Sequence, residues 1–180
     1  RMAELGILGM TLPPEYGGAG MDTLCWAIAQ EEMARASVVV ADIQLLGNLI
    51  GTNAAGTAVL GGNFNAVFLY NCPTNTIGGA TSGARNVISG NDAGGVYISG
   101  PGATGNMVLG NYVGTDITGT VGLGNGEGGG VTTNLADGNT IGGSAPGERN
   151  VISGNAYQGV YIAGGTGNVV REMLSTLAWR

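Results

Sequence analysis

Arg85-Asn86-Val87-Ile88-Ser89-Gly90-Asn91 returns unchanged as Arg149-Asn150-Val151-Ile152-Ser153-Gly154-Asn155. The match extends outward on both sides. Asn75-Thr76-Ile77-Gly78-Gly79 reappears as Asn139-Thr140-Ile141-Gly142-Gly143, and Gly95-Val96-Tyr97-Ile98 as Gly159-Val160-Tyr161-Ile162, each pair 64 positions apart. Short β-branched strings of this kind are too short to be stable alone and can bury a face only against copies above and below them. A fixed period therefore reads as a solenoid of stacked coils. The valines of the G-V-x-I strings stand at Val67, Val96, Val131 and Val160, with spacings of 29, 35 and 29, so one period holds two unequal coils. The longer coil carries an excursion from Gly114 to Asn125, which echoes the run from Gly51 to Asn63. The expected fold is mainly β, a parallel β-helix of about four coils at ~4.8 Å per coil, with the four valines superposed in one interior column. Recurrent turn asparagines such as Asn91 and Asn155 predict an amide ladder from coil to coil. A sugar- or calcium-facing surface is the alternative for them, although the calcium-binding G-G-x-G-x-D repeat is missing.

Composition supports many turns. The 37 glycines among 180 residues far exceed a globular share, yet there is no glycine at every third position and proline numbers only five, which excludes collagen. With 43% hydrophobic and 10% charged residues the chain is opposite in character to a disordered segment. Six arginines, no lysine and no histidine against twelve acidic residues give a net charge of −6. Such a field opposes phosphate backbones and predicts no nucleic-acid partner. Missing histidine removes histidine-based triads and the usual zinc sites. Cys25 and Cys72 form no metal or redox motif; two free, partly buried thiols are expected, with a disulfide left open. No apolar run reaches the length of a membrane span, and no signal-peptide pattern opens the chain; the initial Arg1 suggests part of something longer.

The chain is compositionally tripartite. All sixteen asparagines fall between Asn48 and Asn168, whereas five of six methionines and both tryptophans lie outside that span. Residues 1–44 read as a helical segment, 45–170 as the repeats and 171–180 as a short helix. Met2, Leu5 and Leu8 share a helical face before Pro13-Pro14. Asp22 can cap a second helix over 22–36, with Leu24, Ala27, Ile28 and Ala34 as its apolar stripe and Glu31 spaced to pair with Arg35. The two flanking helices are expected to cap the open ends of the solenoid.

Two resemblances follow from these residues. Ala3-Glu4-Leu5-Gly6-Ile7-Leu8-Gly9, Pro14-Glu15-Tyr16-Gly17-Gly18-Ala19-Gly20, and Ala29, Glu31, Glu32, Ala34 and Arg35 resemble the amino-terminal helical region of acyl-CoA dehydrogenases. In that family the flavin and acyl-CoA contacts and the catalytic glutamate lie mainly in later domains. No flavin-contacting string occurs here, so no functional residue transfers and no cofactor is implied. Residues 45–170 resemble the right-handed parallel β-helix repeats of secreted and surface-exposed bacterial proteins, through Asn111-Tyr112-Val113-Gly114-Thr115-Asp116, Asn75 to Gly79, Arg85 to Asn91 and Gly100 to Asn111. That resemblance implies an extracellular or cell-surface location.

Chemistry is sparse. Glycoside hydrolysis needs two nearby carboxylates. The least implausible couple is Asp92 and Asp116, and solvated turn residues describe them more simply. Lyase chemistry of these folds uses a basic residue beside an acidic cluster, but Arg85 and Arg149 are equivalent repeat positions and are expected to pair across coils with Glu148 or Asp116. Tyr97 and Tyr161 alternate with inward residues and could face carbohydrate. The expectation is therefore no catalytic, cofactor or metal site, with Tyr97, Tyr161, Asp92 and Asp116 as carbohydrate-facing candidates and polysaccharide as the partner. The expected function is a non-catalytic structural or adhesive β-helical module, or a chimeric chain with no evolved activity. The alternatives are a polysaccharide lyase or hydrolase and an acyl-CoA dehydrogenase-related fragment.

Overall fold

A computed structural model describes residues 44–61 and 63–174. The chain divides into Arg1–Val40 and Ala41–Arg180. The helices expected within residues 1–44, including the 22–36 cap, lie outside the described residues, as do Cys25 and residues 175–180; Gln44 alone of that segment is described, and it is extended.

Three short strands build each coil. The first coil has β1 (Gln44–Leu45), β2 (Leu49–Ile50) and β3 (Asn65–Tyr70); the second has β4 (Thr76–Gly78), β5 (Val87–Ile88) and β6 (Gly94–Ser99). The third has β7 (Met107–Leu109), β8 (Tyr112–Val113) and β9 (Gly129–Asn134); the fourth has β10 (Thr140–Ile141), β11 (Val151–Ile152) and β12 (Val160–Ala163), after which β13 (Val169–Val170) starts another turn. Every third strand pairs in parallel, giving three sheets: β1-β4-β7-β10-β13, β2-β5-β8-β11 and β3-β6-β9-β12. This is a β-solenoid of about four turns.

The register puts Val67 on Val96, Val96 on Val131 and Val131 on Val160, the column expected from spacing. The first sheet contributes Ile77, Val108 and Ile141, and the second Ile88, Val113 and Ile152, all buried in one core cluster. A compact β-branched aliphatic side chain suits these positions because only alternate side chains of each strand face inward, and the three sheets converge on a narrow interior. Thr133 takes a place in the Leu69–Ile98–Thr133–Ile162 column and is fully buried, with a hydroxyl that has no hydrogen-bond partner.

Asparagine, not glycine alone, makes the corners. Three ladders run up the molecule: Asn48–Asn86–Asn111–Asn150, Asn75–Asn106–Asn139–Asn168 and Asn63–Asn91–Asn125–Asn155. Asn111 shows the rule. Its Oδ1 accepts from the backbone N–H of Asn86 at 3.2 Å and from Asn86 Nδ2 at 2.9 Å, while its Nδ2 donates to Ile77 O at 2.8 Å and Asn150 Oδ1 at 3.3 Å. All four bonding positions of the amide are filled inside the protein, which an apolar side chain could not achieve at a corner that exposes backbone groups to the interior. Glycine is required where a side chain would strike the ladder. Gly78 has φ +83°, and a Cβ there would meet Leu109 O and Asn111 Oδ1.

The capping helix expected over 171–180 does not begin where its apolar spacing suggested. Residues 171–174 continue the solenoid: Arg171 N–H donates to Ile141 O, Leu174 bridges Val151 in parallel, and Leu174 N–H donates to Asn150 O. Unpaired carbonyls on the coil beneath outcompete a helical turn that would leave them without donors. The bridge aligns Met173 with Asn150, so the ladder meets a residue without an amide. Among the described residues no α-helix occurs, and no helix is long and apolar enough to cross a membrane.

Candidate functional site

The outer face of the third sheet carries Phe68, Tyr97, Thr132 and Tyr161 in register on successive coils. Tyr97 and Tyr161 thus share a face, as their alternation implied, but Thr132 separates them. Tyr97 is only half-exposed: its ring lies 5.6 Å from that of Phe68, and its hydroxyl accepts from Asn134 Nδ2 at 3.2 Å. Tyr161 is 50% exposed. Phe68 and Tyr70, at 56% and 60% exposure with rings 6.1 Å apart, extend the aromatic surface. Sequence comparison of the repeats missed them because the first coil reads Ala66-Val67-Phe68-Leu69 where the others read Gly-Val.

The two carboxylates fare differently. Asp92 is exposed in the turn before β6. Asp116 is buried in the excursion after β8, where Thr118 Oγ1 donates to both its oxygens at 2.8 and 2.9 Å and the N–H groups of Thr120 and Val121 donate to Oδ1 at 3.1 Å each. Burial pushes its pKa upward, but the Thr118 hydroxyl and the backbone donors outweigh that and hold the carboxyl below its ordinary value. Asn53 occupies the same place in the first excursion, with Oδ1 accepting from the N–H groups of Thr57 and Ala58. Both residues cap a reversing loop, closed by the antiparallel bridges Thr52–Val59 and Thr115–Gly122. These donors make Asp116 a loop cap, as the matching bonds make Asn53.

Arg85 and Arg149 have partners other than those expected. Arg85 lays its guanidinium 4.2 Å over the Tyr112 ring and donates from Nε to Gly110 O at 3.0 Å; Arg149 pairs with Glu172 at 2.9 Å. Glu148 instead accepts from Ala145 N–H within its own loop. Arg85, Arg149 and Glu172 border a cleft of about 460 Å³ on the outside of the second sheet. Cys72 is a free thiol, exposed where partial burial was expected, with Sγ donating to Tyr70 O. Among the described residues, no group of three or more Cys, Asp or Glu side chains is arranged to hold a metal ion.

Comparison with known proteins concerns the other end of the chain. Residues 1–59 match the family model of the acyl-CoA dehydrogenase N-terminal domain. A probable acyl-CoA dehydrogenase of Bacillus subtilis (strain 168) is 50% identical over 36 residues, covering 20% of this chain and 10% of that protein. The human mitochondrial short-chain specific acyl-CoA dehydrogenase is 54% identical over 35 residues, 19% of this chain and 8% of the relative. Its mouse counterpart is 44% identical over 48 residues, 27% and 12% respectively. The chain therefore spans about a tenth of the length of the curated relatives it matches. No solved structure matches it significantly.

These matches overturn the expectation of a non-catalytic structural or adhesive module. They favour the acyl-CoA dehydrogenase-related reading, which rests on likeness over the first third of the chain. The match also reaches into the described residues: residues 44–59 lie within it and contain β1, β2 and most of the first excursion.

Proposed function

We propose that the chain is an acyl-CoA dehydrogenase-related protein in which an amino-terminal segment of that family joins a β-solenoid. The agreement of residues 1–59 with the family's N-terminal domain carries this reading, anchored by the Pro14-to-Gly20 string and by Glu31, Glu32 and Arg35. The family's oxidation uses a flavin. The solenoid interior does not fit one, because the core residues from Ile77 to Ile152 fill it and leave no slot for a tricyclic ring. No step of acyl-CoA oxidation is derived through the solenoid, and no residue is assigned to it. The direct test grafts Arg1–Val40 in place of the matching stretch of an acyl-CoA dehydrogenase, whose own later domains supply the flavin and acyl-CoA contacts. A hybrid that folds and keeps its oxidation activity is the expected result; one that is inactive or fails to fold overturns the reading. Right-handed winding, which parallel crossovers strongly favour, and export to the cell surface both rest on the likeness of the repeats. Finding the native chain wholly inside cells would remove the latter.

A further inference from the structure

We infer that the cleft beside the second sheet is an oxyanion site for a phosphate group, with Glu172 as its resident competitor. The ladder register aligns Arg85, Gly110 and Arg149, each immediately before Asn86, Asn111 and Asn150, so the two guanidiniums rise from coils two rungs apart, roughly 10 Å between backbones. Between them the floor is bare by necessity. A Cβ on Gly110 would strike Gly79 O and Gly147 O, so no side chain can fill the gap. Arg85 is pre-organised: Tyr112 supports its plane and Gly110 O fixes Nε, while its terminal nitrogens have no hydrogen-bond partner among the described residues. Such a fork matches the paired oxygens of a phosphate or carboxylate. Ser144 and the Ala145–Gly147 loop form the far wall.

Glu172 is an independent pointer. It is a non-glycine residue at φ +33°, a conformation that L side chains rarely adopt, and its carboxylate sits on Arg149 at 2.9 Å. Backbone strain of this kind is found where surrounding structure holds a residue to a task. The lining holds one carboxylate, paired with Arg149, and two guanidiniums, since Glu148 turns to Ala145 and is not part of it. A dianion bridging both arginines satisfies the pair better than the single charge of Glu172 does.

Calorimetric titration of the full chain with inorganic phosphate, at constant ionic strength against chloride, tests this. Phosphate is expected to bind in preference to chloride, Arg85→Gln to weaken it about tenfold or more, the loss of one charge-assisted contact, and Glu172→Gln to strengthen it. Arg149→Gln and Glu172→Gln break the same ion pair, so opposite changes in affinity separate ligand binding from a merely structural bridge. Binding no better than chloride, or an Arg85→Gln affinity equal to that of the parent, overturns the inference.

Discussion

Replacing Asn111 with alanine tests whether the amide ladders or the aliphatic columns hold the corners. The side chain is fully buried at the centre of a four-membered ladder. Truncation removes the acceptor of Asn86 N–H and one acceptor of Asn86 Nδ2, and it strips Ile77 O of its side-chain donor; Asn150 Oδ1 still receives the Asn111 backbone N–H at 2.8 Å. Two to three buried groups thus lose partners, at about 1–3 kcal/mol each. The expected loss is about 3–6 kcal/mol, a large part of the 5–15 kcal/mol typical of a domain. Asn53→Ala is the control: it removes three solvent-exposed turn bonds, whose groups water can satisfy, and should cost only about 1 kcal/mol. Urea unfolding followed by circular dichroism gives the comparison, with coincidence of a second probe checking that the coils still unfold together. An Asn111→Ala loss equal to that of Asn53→Ala would refute the argument, because it would mean that water or backbone shifts satisfy the corners without the ladder.

Three further outcomes follow from single sites. Thr133→Val keeps the shape of a fully buried residue and removes an unpaired hydroxyl, so it should raise stability by about 1–2 kcal/mol in the same unfolding assay. Gly78→Ala places a Cβ against Leu109 O and Asn111 Oδ1 at φ +83° and should destabilise by about 2 kcal/mol or more, whereas Gly83→Ala, with nothing within 4 Å, should lie within about 1 kcal/mol of the parent. Asp116 has a depressed folded pKa, so its contribution is complete above the ordinary carboxylate value and fades as pH falls through the folded one; the stability gap between the parent and Asp116→Asn, measured by thermal unfolding, should be widest near neutral pH and shrink in acid. A gap that grows in acid would contradict the hydrogen bonds assigned to this carboxylate.

The repeats made the solenoid legible because identical strings at a constant offset leave few other ways to bury Val67, Val96, Val131 and Val160. The ladder was legible only in part. Asn91 and Asn155 stand in copied strings, but Asn63 and Asn125 end the two excursions, and the echo between those loops does not align them with the Ser-Gly-Asn strings they bond to. Leu174 was misread because Met173, Leu174 and Leu177 have helical spacing, while the pull of unpaired carbonyls on the coil below is a tertiary effect that spacing does not encode. The partners of Arg85 and Arg149 failed for the same reason: Tyr112 lies on the intervening coil and Glu172 beyond the last full copy. Asp116 could have been read as a loop cap from its echo in Asn53, since asparagine serves equally where two backbone donors need an acceptor.

The 64-residue period explains why the surface features come in separated pairs. Two coil types alternate, so a surface residue copied with the period recurs two rungs away, and a different residue stands between: Thr132 between Tyr97 and Tyr161, Gly110 between Arg85 and Arg149. For arginine the gap matters energetically. Like charges one rung apart, at ~5 Å, would repel by roughly 3 kcal/mol at an effective dielectric of about 20, and at ~10 Å by half as much. The interior has no such constraint, and the Val67–Val96–Val131–Val160 column stays aliphatic on every rung. A period of two coils therefore lets the core repeat at the spacing that packing demands, while charged and aromatic groups outside repeat at a spacing wide enough to admit something between them.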